Sequence, residues 1–423
     1  MSRRSRSGRN ALTIKAHNLH LLLLSLLRHQ PVSRVRLARL TGLSTTTITN
    51  LTADLMEQGV LAEVGTDMEA ASEGAGRPPQ ALALVAESRY AIGVHIGVRT
   101  MRIALGDLHA GIIDRLVLPH VAGEDVDHAL DRMAGGITRL LDHYPQFVHR
   151  VVGVGVGASG LVESATGINR LAPNLGWIQV PLRDELQKRL GLPVQVDNNV
   201  RCMALAESLY GQGRHAKALA FVYGRVGVGA GLVVDSQVYR GAGHGAGEIG
   251  HWTLFPLSGD LCRCGNRGCL ETVVSEPVMV NLARQLAPDV IEDAESAGRD
   301  PLDALFNAAR QGHEDLVAML QERAFYLGIA LANLIDVLNP QMILLGGLFE
   351  SGFDLFYPTL AETVAQRAFG GLGEEVEMLP ATFGARSGEI GAVTLGLDAF
   401  FFSPQAQAAG GTAHVIEPIL AAA

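Results

Sequence analysis

The stretch 250–271 reads GHWTLFPLSGDLCRCGNRGCLE and holds three of the chain's four cysteines. Cys262, Cys264 and Cys269 follow a C-x-C-x4-C spacing, with His251 eleven residues ahead of the first. A disulfide, a metal site and buried free thiols are the chemistries open to such a cluster. A Cys262–Cys264 bridge would close a very tight loop, and a cytosolic protein keeps its thiols reduced. Three thiolates and one imidazole complete a tetrahedral zinc site, and four protein ligands leave no position for a catalytic water. The expected cofactor is therefore a structural Zn2+ held by His251, Cys262, Cys264 and Cys269. Gly265, Asn266 and Gly268 permit the sharp turn that lets Cys264 and Cys269 converge. Cys202, in a helical segment, reads as a core thiol.

The elements that must carry this cluster belong to a large chain. At roughly 150 residues per domain, its 423 residues suggest two to four domains. A composition 48% hydrophobic, with 49 glycines and few aromatics, points to an α/β protein with many tight turns and away from disorder. The run LHLLLLSLL (19–27) is followed by RHQP and no small-residue cleavage site, so it is not expected to be a secretory leader. No run approaches the ~20 apolar residues that span a bilayer. A soluble, cytoplasmic protein with no membrane partner is the expectation.

Charge is uneven. Residues 1–60 carry nine Lys/Arg and two Asp/Glu, a net +7, on a chain whose overall net is −9. A basic head on an acidic body suggests a polyanionic partner. The head reads as three helices. Residues 16–29 place Leu19, Leu22, Leu23, Leu26 and Leu27 on one stripe, and Pro31 ends that helix. SRVRLARLTG follows, with Ser33 as N-cap and Val35, Leu37, Ala38 and Leu40 apolar. After a turn at Gly42–Leu43, Ser44 caps a third helix in which Ile48, Leu51 and Leu55 share a face. Three short helices with a turn before the third resemble a helix-turn-helix. The opposite face of helix three carries Thr46, Thr49 and Asn50, small polar groups suited to base edges in a major groove. Strand-like Val60–Val64 and a Gly-Arg-Pro tip resemble a wing whose Arg77 enters a minor groove. Arg34, Thr45, Thr46, Thr49, Asn50 and Arg77 are the candidate DNA contacts. Residues 1–85 would form a winged helix-turn-helix with a basic N-terminal arm. Generic three-helix packing is the alternative.

From Tyr90 the pattern turns to strands and glycines. YAIGVHIGVRTMRIALGDLHAGIIDRLVLPH reads as three strands joined by hairpins. ALAFVYGRVGVGAGLVVDSQVYRG repeats it at an offset of 128 residues, matching Val94 to Val222 and Asp107 to Asp235. Each copy is followed by helix-forming sequence and more strand, as at Val151–Ser159 and Met342–Leu348. The expectation is two similar α/β lobes facing a cleft over 86–402, and a tail of unknown role over 403–423.

GAGEIGHW (245–252), CRCGNRGCLE (262–271), LAPNLGW (171–177) and LNPQMILLGG (338–347) together resemble the ROK family of repressors, open reading frames and sugar kinases, over roughly 85–400. With the head in front, the chain is similar to the family's sugar-responsive transcription factors. The resemblance implies a two-lobed actin-like (ribonuclease H-like) sugar-kinase fold, a sugar or sugar-derivative effector in the cleft, and zinc beside it. It implies Glu248, His251, Glu271, Asn174 and Asn198 as sugar contacts, with Asn199 adjoining them, and His251 also on the metal. Carboxylates and amides suit a polyol, the first accepting hydroxyl hydrogens and the second both donating and accepting.

Phosphoryl transfer to a sugar needs a carboxylate base and a phosphate cradle with Mg2+. The resemblance puts the family's base at Asn199, which cannot take a proton, within VDNNVRCMALAE (196–207). Asp197 stands two residues earlier. The first phosphate loop, HIGVRT, has His95 for an Asp and Val98 for a Gly; the second, GRVGVG, has Arg225 and Val226 for Gly and Thr. These departures point to a regulator, expected as a homodimer or higher oligomer on double-stranded operator DNA, in which sugar-driven lobe closure alters the spacing of two heads. The rivals are an ATP-dependent sugar kinase with an appended head, and a regulator whose effector is a protein.

Overall fold

A computed structural model describes residues 3–71, 79–120 and 123–408. The chain divides into two units. Unit 1 runs to Leu171 and takes in Trp177–Cys202 and the chain from Gly388; unit 2 comprises Ala172–Gly176 and Met203–Ser387.

Unit 1 opens with α1 (Arg3–His29), which begins well ahead of the leucine stripe expected at 16–29. Leu22, Leu23, Leu26 and Leu27 are buried on it. β1 (Val32–Ser33) leads into α2 (Arg34–Thr41), where the Ser33 Oγ accepts from the Arg36 N–H at 3.4 Å. Gly42, at φ 70°, ends α2 in the left-handed region. α3 (Thr45–Glu57) is capped by Ser44, whose Oγ accepts from the Thr47 N–H at 3.1 Å; Ile48, Leu51 and Leu55 are buried on it. On α2 only Leu37 is buried, whereas Val35 is 49% and Leu40 43% exposed. An eight-residue helix makes just over two turns, so it offers the core a single row. β2 (Leu61–Thr66) and β3 (Gln80–Leu84) complete a three-stranded sheet of order β1-β3-β2. Arg77 lies outside the described residues.

The larger sheet of unit 1 is built from β4 (Tyr90–Ile96), β5 (Thr100–Asp107), β6 (Ile112–Pro119), β7 (Val151–Ala158) and β11 (Val194–Asn198), in the order β11-β7-β4-β5-β6. α4 (Val126–His143) buries Leu130, Met133, Ile137 and Leu140. A small sheet joins β8 (Leu161–Glu163), β9 (Ile168–Ala172) and β10 (Trp177–Val180). α5 (Leu182–Leu190) precedes β11, and α6 (Asn199–Leu209) follows it. The helix Ser387–Leu397 lies directly on the sheet. A Cβ on Gly155 would stand 2.1 Å from the Ala392 carbonyl oxygen, and one on Gly93 2.5 Å from the Val393 nitrogen. Glycines in the strands therefore allow this backbone-to-backbone approach. Beyond it, Asp398–Phe402 and the short helix Pro404–Ala408 pack on α1, and the His20 Nδ1–H donates to the Phe402 carbonyl at 2.7 Å. The stretch from 403, read as a tail of unknown role, carries a docked helix as far as Ala408.

Unit 2 repeats the sheet. β12 (Ala218–Gly224), β13 (Val228–Val234), β14 (Gln237–Tyr239), β15 (Met342–Gly347) and β16 (Glu377–Pro380) lie in the order β14-β13-β12-β15-β16. Antiparallel pairs join β12, β13 and β14, and parallel pairs join β12, β15 and β16. Unit 1 has the same senses in β4, β5 and β6 and in β4, β7 and β11. β12 covers the residues 128 positions after β4, which excludes chance similarity of two Gly-rich hairpins as the source of the repeat. β14 is the departure, with three residues where β6 has eight. The core of the unit is set by α7 (Glu314–Leu338) and by Phe306, Phe349 and Phe356, whose rings meet edge to face.

Candidate functional site

The loop that carries His251 is pressed onto β13. A Cβ on Gly250 would stand 2.1 Å from the Val228 carbonyl oxygen, and the Ala230 N–H donates to the Gly247 carbonyl at 2.7 Å. Only glycine fits at 250, so the turn Ile249–His251 has one place to go. The chain then folds back through the antiparallel bridges Thr253–Cys269 and Leu261–Arg267, with the Cys262 N–H donating to the Asn266 carbonyl at 2.7 Å. One ligand atom each from His251, Cys262, Cys264 and Cys269 lies within 4.8 Å of all the others. Cys262 Sγ is 3.7 Å from His251 Nδ1, and Cys264 Sγ is 3.7 Å from Cys269 Sγ. Tetrahedral coordination with metal–sulfur bonds of about 2.3 Å and metal–nitrogen bonds of about 2.0–2.1 Å separates ligands by about 3.5–3.8 Å. Two of the pairs stand at that separation, and the four residues could hold a metal ion. Burial pushes the Cys262 thiol up to about 12, so an arriving ion must displace its proton.

The metal cluster and the polar residues beside it share atoms. Glu271 accepts on Oε1 from the Cys262 thiol at 3.4 Å and on Oε2 from the Val228 N–H at 3.3 Å. Asn174 Oδ1 accepts from the Arg263 guanidinium. Glu248, half-buried, immediately precedes the turn that ends in His251. Unit 2 thus brings Asn174, His251 and Glu271 together around the metal loop, with Glu248 on the same loop as His251. Asn198 and Asn199 belong to unit 1. Asn198 caps α6: its Oδ1 accepts from the N–H groups of Val200 at 2.9 Å and Arg201 at 3.2 Å, and its Nδ2 donates to the Gly160 carbonyl at 2.9 Å. Asn199 opens α6, half-buried, its Oδ1 accepting from the Val200 N–H at 3.0 Å.

Of Asp197, Arg225 and His95, the first two are ion-paired and the third is buried. Asp197 is buried against Arg201, Oδ1 to Nε 2.7 Å, and Arg201 also donates to the Val162 carbonyl at 2.8 Å. Arg225, in the β12–β13 turn, pairs with Glu276 at 3.0 Å and stands 3.8 Å from Asp300. His95 is 8% exposed, and neither ring nitrogen has a hydrogen-bond partner. Burial, aided by the charge of Arg102, lowers its pKa to about 4, so the imidazole is neutral. Arg263, Arg201 and Glu276 are the residues that sequence reasoning passed over. Arg263 alone carried a signal, its place between two metal-ligand cysteines.

His95 has a measurable consequence. Folded, it stays neutral down to about pH 4, whereas the unfolded chain takes up this proton below about pH 6.5. The unfolded state binds more protons in that window, so stability falls as the pH drops from about 6.5 to about 4. His95→Phe should flatten this part of the stability profile, read by urea unfolding at about pH 7 and about pH 5. An unchanged slope would contradict it.

In the head, Thr45, Thr46, Thr49 and Asn50 are all exposed on α3. Arg34 is tied inward, its guanidinium donating to Thr52 Oγ1 at 3.2 Å and pairing with Glu63 at 3.1 Å.

No helix among the described residues is long and apolar enough to cross a membrane. The sequence model of the ROK family matches residues 91–399. A xylose repressor of Caldicellulosiruptor bescii is 32% identical over 364 residues, 85% of this chain and 90% of that protein. A glucokinase of Halalkalibacterium halodurans is 31% identical over 312 residues, 72% of this chain and 93% of that protein. The crystal structure of a ROK family transcriptional regulator, a homolog of the Escherichia coli Mlc protein, matches with a TM-score of 0.77 at 26% identity, over 95% of this chain and 98% of that one. The regulators are matched across the head as well as the duplicated sheets, the glucokinase over a shorter span. Two repeated five-stranded sheets, a His-Cys cluster on a loop of the second, and a family match over most of its length together place the chain in the ROK family.

Proposed function

We propose that this protein is a sugar-responsive DNA-binding transcriptional regulator that binds its sugar without phosphorylating it. The observation that carries this is the pairing of an exposed Thr/Asn face on α3 with a polyol-suited cluster of Asn174, Glu248, His251 and Glu271. Residues 1–85 act as a winged helix-turn-helix. Thr45, Thr46, Thr49 and Asn50 meet base edges, and basic side chains neutralise phosphates. A homodimer would set two such heads on half-sites about 34–36 Å apart. Names borne by relatives, xylose repressor and transcriptional regulator, support the same reading.

The metal is a structural Zn2+. Three thiolates and an imidazole favour it over harder ions, and all four positions are filled by protein. Zinc holds the His251 loop in place beside Glu271, and the chemistry it supplies is support.

Absence of kinase activity rests on Asn199 in the base position, Asp197 held by Arg201, a neutral His95 and an ion-paired Arg225. Within unit 1, the helix Ser387–Leu397 continues into the segment docked on α1, so a shift of that helix reaches the head through packed side chains.

The test has two arms. Calorimetry with D-xylose, D-glucose and N-acetyl-D-glucosamine should find one sugar that binds and that changes retention of the protein on DNA from upstream of its own gene. An assay of ADP release with the same sugars should show no turnover. Sustained turnover would replace this reading with that of a sugar kinase, and no binding of any sugar would replace it with a protein-responsive regulator.

A further inference from the structure

Arg263 stands in the polar cluster of unit 2, inside CRCGNRGCLE but not among the sugar contacts that the resemblance implies. It sits between Cys262 and Cys264, so its backbone position is set by the two flanking metal ligands. Its guanidinium donates to Asn174 Oδ1. Guanidinium has donors and no acceptor, so the oxygen of the Asn174 amide must face it and the NH2 group must turn away. The direction of that turn is on the structure. One point beside Gly227, where a Cβ would lie, is 3.8 Å from Asn174 Nδ2 and 3.0 Å from Glu271 Oε2. A donor and an acceptor thus converge on a space that only glycine at 227 leaves free. Glu271 is itself oriented on Oε2 by the Val228 N–H.

We infer that Arg263 is a positioning residue for effector recognition, fixing Asn174 so that its NH2 group, opposite the Glu271 carboxylate, reads one sugar hydroxyl as acceptor and donor at once. The inference rests on the sugar-binding reading above. Without Arg263 the Asn174 amide can rotate, presenting Oδ1 toward the same space and repelling the lone pairs it should satisfy. Affinity falls, and so does discrimination between sugars that differ at that hydroxyl, because an amide free to turn accepts either hydrogen-bond polarity. A loop merely loosened would weaken all sugars in proportion.

The experiment uses the full chain, zinc-loaded, and compares wild type with Arg263→Ala, Arg263→Lys and Asn174→Asp. Calorimetry is run with D-xylose, D-glucose and N-acetyl-D-glucosamine and with the epimers of whichever binds. Arg263→Ala should bind that sugar about tenfold more weakly and lose much of its preference over the epimers. Arg263→Lys, which keeps a donor to Oδ1, should recover most of both. Asn174→Asp keeps the contact with Arg263 but has no NH2 group, so it should keep zinc content and lose binding. It decides the matter even if Arg263→Ala does not fold. Wild-type affinity and epimer preference in Arg263→Ala, or wild-type binding in Asn174→Asp, would overturn the inference alone. Failure of the wild type to bind any of the sugars would remove the underlying reading and the inference with it.

Discussion

Replacing Cys262 with serine should empty the metal site and cut effector affinity by about 10–100-fold. The expectation follows from what holds the loop. Pro256, Leu257, Ser258, Leu261, Arg263, Cys264, Gly265, Asn266 and Arg267 are all exposed, so hydrophobic burial cannot fix this segment. A closed zinc site can, since apparent binding energies in small zinc domains reach about 10–16 kcal/mol. The sheets and α7 have their own core, so the variant should still fold. His251 would lose the metal that fixes it beside Cys262. Metal content by mass spectrometry, thermal unfolding and sugar calorimetry check the three parts. A folded, zinc-free Cys262→Ser protein that responds normally to sugar would break the proposed link between metal and effector.

Asp197→Ala should cost about 3–5 kcal/mol of stability. Asp197 and Arg201 are 1% and 2% exposed, and their contact is 2.7 Å. Removing the carboxylate leaves a guanidinium in the interior with the Val162 carbonyl but without its counter-charge. Buried pairs add little over an apolar substitute, yet breaking one side is expensive because the remaining charge stays desolvated. Urea unfolding measures this directly. A change below about 0.5 kcal/mol, the range of ordinary surface substitutions, would show that Arg201 finds water or another partner. The result bears on function too. The carboxylate nearest in sequence to Asn199 is committed to structure, so it is a poor proton acceptor for a sugar hydroxyl.

Much of the architecture was legible in the chain because it is encoded locally. Ser33 and Ser44 cap helices where short side chains can accept backbone N–H groups. The repeat at 128 residues marks β4 and β12 because both copies need the same alternation and the same Gly-rich turns. C-x-C-x4-C with a preceding His marked the four side chains that the fold brings together, because chelation demands those residue types close together. That Val35 and Leu40 stand exposed was not legible, because apolar character does not say how many helix faces meet a core. The shortness of β14 and the docked helix Pro404–Ala408 were not legible, the first because strand pairing ends where its partner does, the second because five residues carry too little periodicity.

By itself, the sequence determined the element types, the duplication and a His-Cys cluster that could hold a metal ion. These depend on residue chemistry and short-range spacing. Only the tertiary structure decided that Arg201 claims Asp197, that Glu276 claims Arg225, that His95 is buried and neutral, and that Arg263 holds Asn174 across 89 positions of chain. Each is a polar pairing or a desolvation, set by which side chains the fold brings within about 3 Å, and no periodicity records it.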